Sequence, residues 1–311
     1  MAQPKLSIEI MRATHKAWLE CNKNITVAAR ISKLPRTTFN SRLDEALRIL
    51  NGEEEFPEHF ISHQWTCPKI STCEAINKVV IIGGDLHIWP GEVPIMWKAF
   101  ANVAKLVKAN ICILNGDIID GARVSRHGSF LGSAAPKLSD EIEAAHICID
   151  MLPRGMEKYW TMGNHDQRVD TYLANNANEL ADYSGRLSDR FPEWKFSYAV
   201  MLNEIEVRHR FRGGIHATWN NALHSGISIV TNHTHQQQVY SVRNRNGSHW
   251  GVETGMLGDP NSPAFEYTEG VPSRAHEGFT VLTFDEDGLL MPPEQCEMLR
   301  GRPVFRGKYI F

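Results

Sequence analysis

From Lys78 onward, short aliphatic runs alternate with stretches of helical periodicity. The runs are Val79–Ile82, Ile111–Leu114, Tyr159–Met162 and Ile227–Val230, and apolar residues recur at helical spacing near 93–109 and 137–152. Runs too short for helices, separated by amphipathic helices, predict strands buried on both faces of an α/β sheet. Farther along, residues 197–210, 238–242, 250–254 and 279–284 alternate apolar and polar positions with few helical stretches between them, which predicts a second, more antiparallel sheet. Ahead of this region, residues 8–50 carry three helical patterns broken near Asn22–Asn24 and at Leu34-Pro35. Residues 51–77 hold the acidic run Glu53–Glu55, prolines including Pro68 and little periodicity, as a linker does. The expected organisation is a helical domain over 1–50, a linker or arm over 51–77 and a main domain over 78–311.

Composition adds boundaries. With 42% hydrophobic and 22% charged residues in 311 positions, the chain has no collagen, coiled-coil or disorder bias and is long enough for a sizeable core. Its opening residues lack a basic-then-apolar pattern, and its longest aliphatic run falls far short of the ~18 residues of a membrane span. A cytoplasmic location is expected, with no membrane partner. The six cysteines include no Cys-x-x-Cys pair, which predicts free buried thiols rather than a disulfide framework. Net charge is −3, unevenly spread: residues 1–50 carry nine Lys and Arg against four Asp and Glu, so the remainder is about −8.

The middle of the basic segment, Ile25 to Leu43, resembles the helix-turn-helix of the Fis-like and resolvase-like groups. The Ala28-Ala29 pair would let two helices approach closely. Arg36, Thr37, Thr38, Asn40, Ser41 and Arg42 would lie on the outer face of a second helix able to enter a DNA major groove. The turn carries Lys33-Leu34-Pro35 where glycine is usual, so a basic cap that packs on the main domain or mediates assembly is the alternative.

The four apolar runs share one feature. Each is followed by a polar cluster: Gly84-Asp85-Leu86-His87, Asn115-Gly116-Asp117-Ile118-Ile119-Asp120, Gly163-Asn164-His165-Asp166 and Asn232-His233-Thr234-His235. A fifth candidate, Gly213-Gly214-Ile215-His216, follows the segment ending near Phe211. Ligands of α/β sheets bind beyond the carboxyl ends of the strands, so such clusters converge on one crevice. Carboxylate, imidazole and amide oxygen without thiolate suit hard-to-borderline metals and disfavour structural zinc. Two ions ~3.5–4 Å apart can hold phosphate oxygens, activate water and stabilise charge in an in-line displacement.

In order and spacing these clusters are similar to those of the calcineurin-like metallophosphoesterases, whose motifs run DxH, GDxxD, GNHD or GNHE, a lone His and GHxH. The resemblance covers roughly 78–285 and implies a four-layer α/β/β/α sandwich. It implies that Asp85, His87 and His235 bind one metal, that Asp117 bridges, and that Asn164, His216 and His233 complete the second. His165 would sit beside the phosphate as charge stabiliser or leaving-group acid, oriented by Asp166. Two divalent ions are implied, manganese first, with iron, zinc or nickel also suiting the donors. Asn232 departs from the usual glycine, and asparagine tolerates left-handed backbone. Asp120 is either an acceptor for a ligating His or a helix-start cap. Arg123, Arg126 and Arg168 are candidate phosphate contacts, and Trp89 and Trp219 candidate base-stacking residues.

Substrate is less legible. Protein Ser/Thr phosphatases of this family show GDxxDRG and GNHE, whereas Gly121-Ala122 follows Asp120 and Asp166 follows His165 here. GNHD with GDxxD is shared by members that cleave cyclic nucleotides and by other diesterases. A basic helical unit in front, a layout similar to that of phage and prophage proteins, points to a phosphodiesterase or nuclease acting on DNA or nucleotides by attack of a metal-bridging hydroxide. The alternatives are a small-molecule or nucleotide phosphomonoesterase and a DNA-binding module with a non-catalytic phosphoesterase scaffold.

Overall fold

Alternation within the aliphatic runs decides the layering. In a computed structural model, which describes residues 8–50, 67–91, 93–125, 135–176, 185–245, 247–268 and 274–311, the chain divides into two units, 1–66 and 67–311.

The first unit has three helices, α1 (Ile8–Glu20), α2 (Ile25–Ile31) and α3 (Arg36–Leu50). Asn24 caps α2, its Oδ1 accepting from the backbone N–H groups of Thr26 and Val27 at 3.1 and 3.2 Å. Ala28 and Ala29 are buried against Phe39 and Leu43 of α3, so the small pair does allow close approach. In the turn, Lys33 takes the left-handed conformation (φ 55°) that glycine adopts most easily, and Leu34 N–H closes onto the Ala29 carbonyl at 3.0 Å. Arg36, Thr37, Asn40 and Ser41 are exposed on α3, while Thr38 and Arg42 are half-buried.

The second unit contains two sheets. One has eight strands in the order β14-β13-β12-β11-β2-β3-β4-β5, with β2 (Val79–Gly83), β3 (Ile111–Asn115), β4 (Glu157–Thr161) and β5 (Lys195–Ser197) parallel. On its far side β11 (Gly278–Thr283), β12 (Glu294–Leu299), β13 (Arg302–Phe305) and β14 (Lys308–Tyr309) continue antiparallel. The other has six strands in the order β1-β6-β7-β8-β10-β9. These are β1 (Ile70–Cys73), β6 (Ala199–Leu202), β7 (Ile205–Arg208), β8 (Ser228–Thr231), β9 (Gln237–Asn244) and β10 (Gly247–Thr254). Two expectations change here. The second sheet is mixed, since β1 pairs with β6, β7 with β8 and β8 with β10 in parallel. Residues 70–73, expected in the linker, are a strand of the domain.

Period-2 geometry sends alternate residues of the buried strands to opposite faces. Val80, Ile82, Ile111, Ile113 and Tyr159 meet Val200, Leu202, Val207, Val230 and Val252 in a core between the sheets. Ile81, Cys112, Leu114 and Trp160 face outward onto α4 (Ile95–Leu106) and α5 (Leu138–Ile149). Two shorter helices, α6 (Arg168–Asn176) and α7 (Leu187–Arg190), precede β5. A further helix, α8 (Ala217–Ser225), packs on β8, β9 and β10. The layers therefore read α/β/β/α, as the sequence led one to expect. All six cysteines are free thiols, five of them buried.

Candidate metal centre

Five strand ends supply the centre. β2 leads to Asp85 and His87, β3 to Asp117 and Asp120, β4 to Asn164 and His165, β7 to His209, and β8 to His233 and His235. The loops are stitched together by backbone bonds: Asp85 N–H donates to the Gly116 carbonyl at 2.9 Å and His87 N–H to that of Asp117 at 3.0 Å. Asp85, His87, Asp117, His233 and His235 all adopt left-handed backbone, with φ of 51°, 42°, 52°, 74° and 56°. Asp and His are among the non-glycine residues most at home there, and such conformations persist where surrounding structure holds them.

Close approach also demands glycine at one position. A Cβ on Gly163 would lie 2.1 Å from Asp117 Oδ1 and 2.4 Å from its amide nitrogen. Gly163→Ala should therefore displace Asp117, lowering stability by about 1–3 kcal/mol through overpacking and lowering activity as well. Thermal unfolding and turnover measured side by side test this, and an unshifted melting midpoint would contradict the packing.

Two groups of ligand atoms result. In the first, Asp85 Oδ1 lies 3.8 Å from His87 Nε2 and 3.5 Å from His235 Nε2, and the two imidazole nitrogens face each other at 3.2 Å. His87 Nδ1 is engaged by Asp120 Oδ1 at 3.1 Å, which turns Nε2 inward. The second comprises Asp117, His209 and His233. His209 Nδ1 lies 2.8 Å from the Asn115 carbonyl, an acceptor only, so Nδ1 carries the proton. Its Nε2 points at Asp117 Oδ2, 3.1 Å away. An imidazole donating from one nitrogen to a carbonyl and offering the other is the arrangement of a metal-ligating histidine. Asn164 stands between two residues that touch Asp117: Gly163 packs on it, and His165 N–H donates to its Oδ1 at 2.8 Å.

Whether cations fit can be read from unsatisfied atoms. Among the described residues six buried side-chain N or O atoms make no well-aligned hydrogen bond; Asn164 Oδ1 is one, and Asp85 Oδ1 and His209 Nε2 are two more, which meet only an ion-pair partner, His235 at 3.5 Å and Asp117 at 3.1 Å. Orphaned buried polar atoms are costly and rare. Three converging from three strand ends is the donor pattern two ions would satisfy.

Several expectations need correction. His216 is exposed at the start of α8 and belongs to neither group, whereas His209, not singled out from sequence, is buried between Asp117 and His233. A signal was present: His209 directly follows the β7 pattern Ile205–Arg208, as the other polar clusters follow their strands. Asp166 does not touch the His165 ring. Its carboxylate accepts from the backbone N–H groups of Asp117, Ile118, Ile119 and Gly163 and from Trp160 Nε1, pinning the loop after β3 to the loop after β4. Asp120 orients His165 instead, from 2.8 Å at Nδ1, while also holding His87. Arg168 serves this cluster too, donating to the Asp120 carbonyl at 2.8 Å and lying 2.9 Å from His165 Nε2. Arg123 is exposed and donates to the Ala135 carbonyl, and Arg126 lies outside the described residues. Asn232 is absent from the left-handed positions. Its side chain is what matters, since Nδ2 donates to Asp85 Oδ2 at 3.1 Å and to the Gly255 carbonyl at 2.8 Å, and Oδ1 accepts from Asn115. Trp89 packs on a small cluster with Met256 and Phe265, and Trp219 is exposed.

Electrostatics follow from three buried carboxylates in one place. Burial raises the pKa of Asp85, but His235 and His209 outweigh it and hold the group at about 2. Asp117 and Asp120 are likewise held below the usual carboxylate range, against burial, by His209 and His165 respectively. Burial opposes charge on His209, yet the Asp117 and Asp85 carboxylates lift it to about 9. Burial lowers His87. Positive charge is what the centre calls for, supplied by protons or by cations.

A family model described as calcineurin-like phosphoesterase matches residues 78–262. Among solved structures, the chain is similar to YfcE, a phosphoesterase from E. coli, at 16% identity over 69% of this chain and 97% of that one, with a TM-score of 0.33. It is similar to a metallophosphoesterase from Sphaerobacter thermophilus at 13% identity (74% and 89% covered, TM-score 0.36). A predicted phosphoesterase from Streptococcus pneumoniae TIGR4 is similar at 10% identity (75% and 95% covered, TM-score 0.32). No curated protein matches by sequence.

Proposed function

Since the chain belongs to the calcineurin-like phosphoesterase family, we propose that it is a two-metal phosphodiesterase acting on nucleic acid or nucleotide diesters. Asp85, His87 and His235 would hold one divalent ion, and Asn164, His209 and His233 the other, with Asp117 between them. The observation that carries this reading is the pair of converging ligand groups with their orphaned donor atoms. When bound, two such ions supply Lewis-acid polarisation of the phosphoester and a nucleophile at neutral pH. Manganese is the first expectation for oxygen and imidazole donors, ahead of iron, zinc or nickel.

Around the ions the chain's own residues have distinct tasks. Asp120 fixes the rings of His87 and His165 from the Nδ1 side. His165 Nε2 accepts from the Arg168 guanidinium at 2.9 Å, so the pair would meet a phosphate oxygen through Arg168, and Nε2 would protonate a leaving group only once that contact opens and the ring is charged. Asp166 keeps the loops bearing Asp117 and His165 in register. Support for a nucleic-acid substrate comes from the basic three-helix unit, whose α3 exposes Arg36, Thr37, Asn40 and Ser41 for DNA contact. No described helix is long and apolar enough to cross a membrane, and free thiols favour a reducing compartment such as the cytoplasm.

Hydrolysis of bis-p-nitrophenyl phosphate against p-nitrophenyl phosphate with added Mn²⁺ tests the reading. A diester preference supports it. Monoester preference would replace it with a phosphomonoesterase, and inactivity on both with a scaffold.

Metal uptake should also depend on pH. Below about 9, His209 carries a proton that an ion must displace, so the apparent Mn²⁺ affinity should rise with pH up to that value, by as much as about tenfold per pH unit for one displaced proton. In the metal-free protein the sign reverses. The raised pKa stabilises the fold below the ordinary histidine value, and this contribution is lost as pH rises through about 9. Calorimetric Mn²⁺ titrations across this range would show the trend, and a pH-independent affinity would rule out proton displacement.

A further inference from the structure

Seven consecutive residues, Arg210 to His216, cross the surface exposed between β7 and α8. They begin directly after His209, and the Arg210 guanidinium is close enough to act electrostatically on the His233 ring. Among the described residues neither Arg210 nor Arg212 has a carboxylate at ion-pair distance, unlike Arg208, which pairs with Glu206. Aromatic rings interleave with these charges. Phe211 is 38% exposed, Trp219 in the first turn of α8 is 44% exposed, and Tyr240 on β9 is 46% exposed.

Thr218, beside one of these rings in the chain, is hydrogen-bonded toward the centre. Thr218, next to Trp219, donates to Glu253 Oε2 at 2.6 Å, and the same carboxylate accepts from Thr234, the residue between His233 and His235. Thr218 Oγ1 also lies 3.1 Å from Gln238 Oε1, and Tyr240 shares a face of β9 with Gln238 by period-2 alternation. Arg212 N–H donates to Asn221 Oδ1 of α8 at 3.1 Å, and α8 packs on β9, so the exposed loop that starts at His209 adjoins the helix bearing Trp219 and the strand bearing Tyr240.

Unpaired cations alternating with solvent-facing rings suit a polyanion whose units carry π faces. Bases in a duplex are already stacked on one another, so such rings are useful only to unpaired bases. We propose that Arg210, Phe211, Arg212, Trp219 and Tyr240 form a track for single-stranded nucleic acid leading into the metal centre. The proposal rests on the diesterase reading and adds to it the strandedness of the substrate and the residues that guide it.

Fluorescence anisotropy of the full chain in EDTA, with a labelled oligothymidylate and a duplex of equal length, tests the track. Trp219→Ala should weaken single-strand binding roughly 5- to 150-fold, the range for loss of one base-stacking ring. Arg210→Ala/Arg212→Ala should flatten the dependence of log K on log salt by about 1.4, two phosphate contacts' worth on a single strand. Trp219→Phe, which keeps a ring, should retain affinity, and a thermal unfolding midpoint of Trp219→Ala equal to that of wild type excludes misfolding as the cause of its loss. Unchanged single-strand affinity in the track variants would overturn the proposal, as would no binding at low salt, or a loss confined to Arg36→Ala/Arg42→Ala in the N-terminal helices. Hydrolysis of the chromogenic diester by wild type separates the two claims: activity without single-strand binding sinks the track alone, and binding without activity sinks the diesterase.

Discussion

Asp117→Asn is expected to lower kcat for a chromogenic phosphodiester on the order of 10³-fold, while the metal-free protein still folds, with a thermal unfolding midpoint below wild type because the carboxylate that lifts His209 is gone. The magnitude is that of losing one preorganised electrostatic contribution at a reacting centre, here the carboxylate that would hold both ions. Survival of the fold follows from local geometry. Asn keeps the Oδ1 that accepts from His165 N–H, and it tolerates the left-handed φ of 52° at this position. What it loses is the negative charge facing His209 Nε2. Steady-state turnover and a melting curve on one preparation suffice, and activity within about tenfold of wild type would remove Asp117 from the centre of the mechanism.

The second large effect separates two histidines seven positions apart. His209→Ala should weaken metal binding by at least on the order of 100-fold, since altering only the partners of a ligand already costs 10- to 100-fold. It also strips the Asn115 carbonyl of its donor. His216→Ala, at an exposed helix start, should leave metal affinity and turnover within about twofold. Metal content after gel filtration decides between them. If His216→Ala lost metal and His209→Ala kept it, the site would have to be rebuilt around the loop after Gly214.

This pair also shows where sequence reasoning ran out. The strands and four of the polar clusters were legible because each ligand pair directly follows an apolar run, and a buried parallel strand cannot hide that pattern. β7 is different. It reads Ile-Glu-Val-Arg, an alternating strand buried on one side, so His209 looked like another strand residue, while Gly213-Gly214 drew attention to His216. Asp166 was misread because proximity to His165 in sequence says nothing of side-chain direction. Its carboxylate turns back toward the strand ends, where four backbone N–H groups await it. Strand β1 was missed for want of length. Ile70–Cys73 is only four residues, and it is specified by pairing with β6, far away in the chain. The β12–β14 hairpins likewise owe their place to neighbours rather than to a strong local pattern.

Asn232 is a different kind of gap. Its identity was noted as a departure and excused on backbone grounds, yet its value lies in three hydrogen bonds that connect the ends of β2, β3 and β10. A glycine at that position could make none of them.

The left-handed backbone of the five residues proposed as ligands bears on how this protein can change over generations. A replacement at Asp85, His87, Asp117, His233 or His235 is filtered by conformation before it is filtered by chemistry. β-Branched and bulky side chains fare worst in the first test, where left-handed backbone costs about 1–2 kcal/mol, and so would be selected against on stability. Asparagine passes it while giving up the carboxylate charge or the imidazole nitrogen, and its codons neighbour those of both Asp and His. Copies of this chain released from selection for activity should therefore accumulate Asn at these positions, losing the proposed metal site but keeping the scaffold intact.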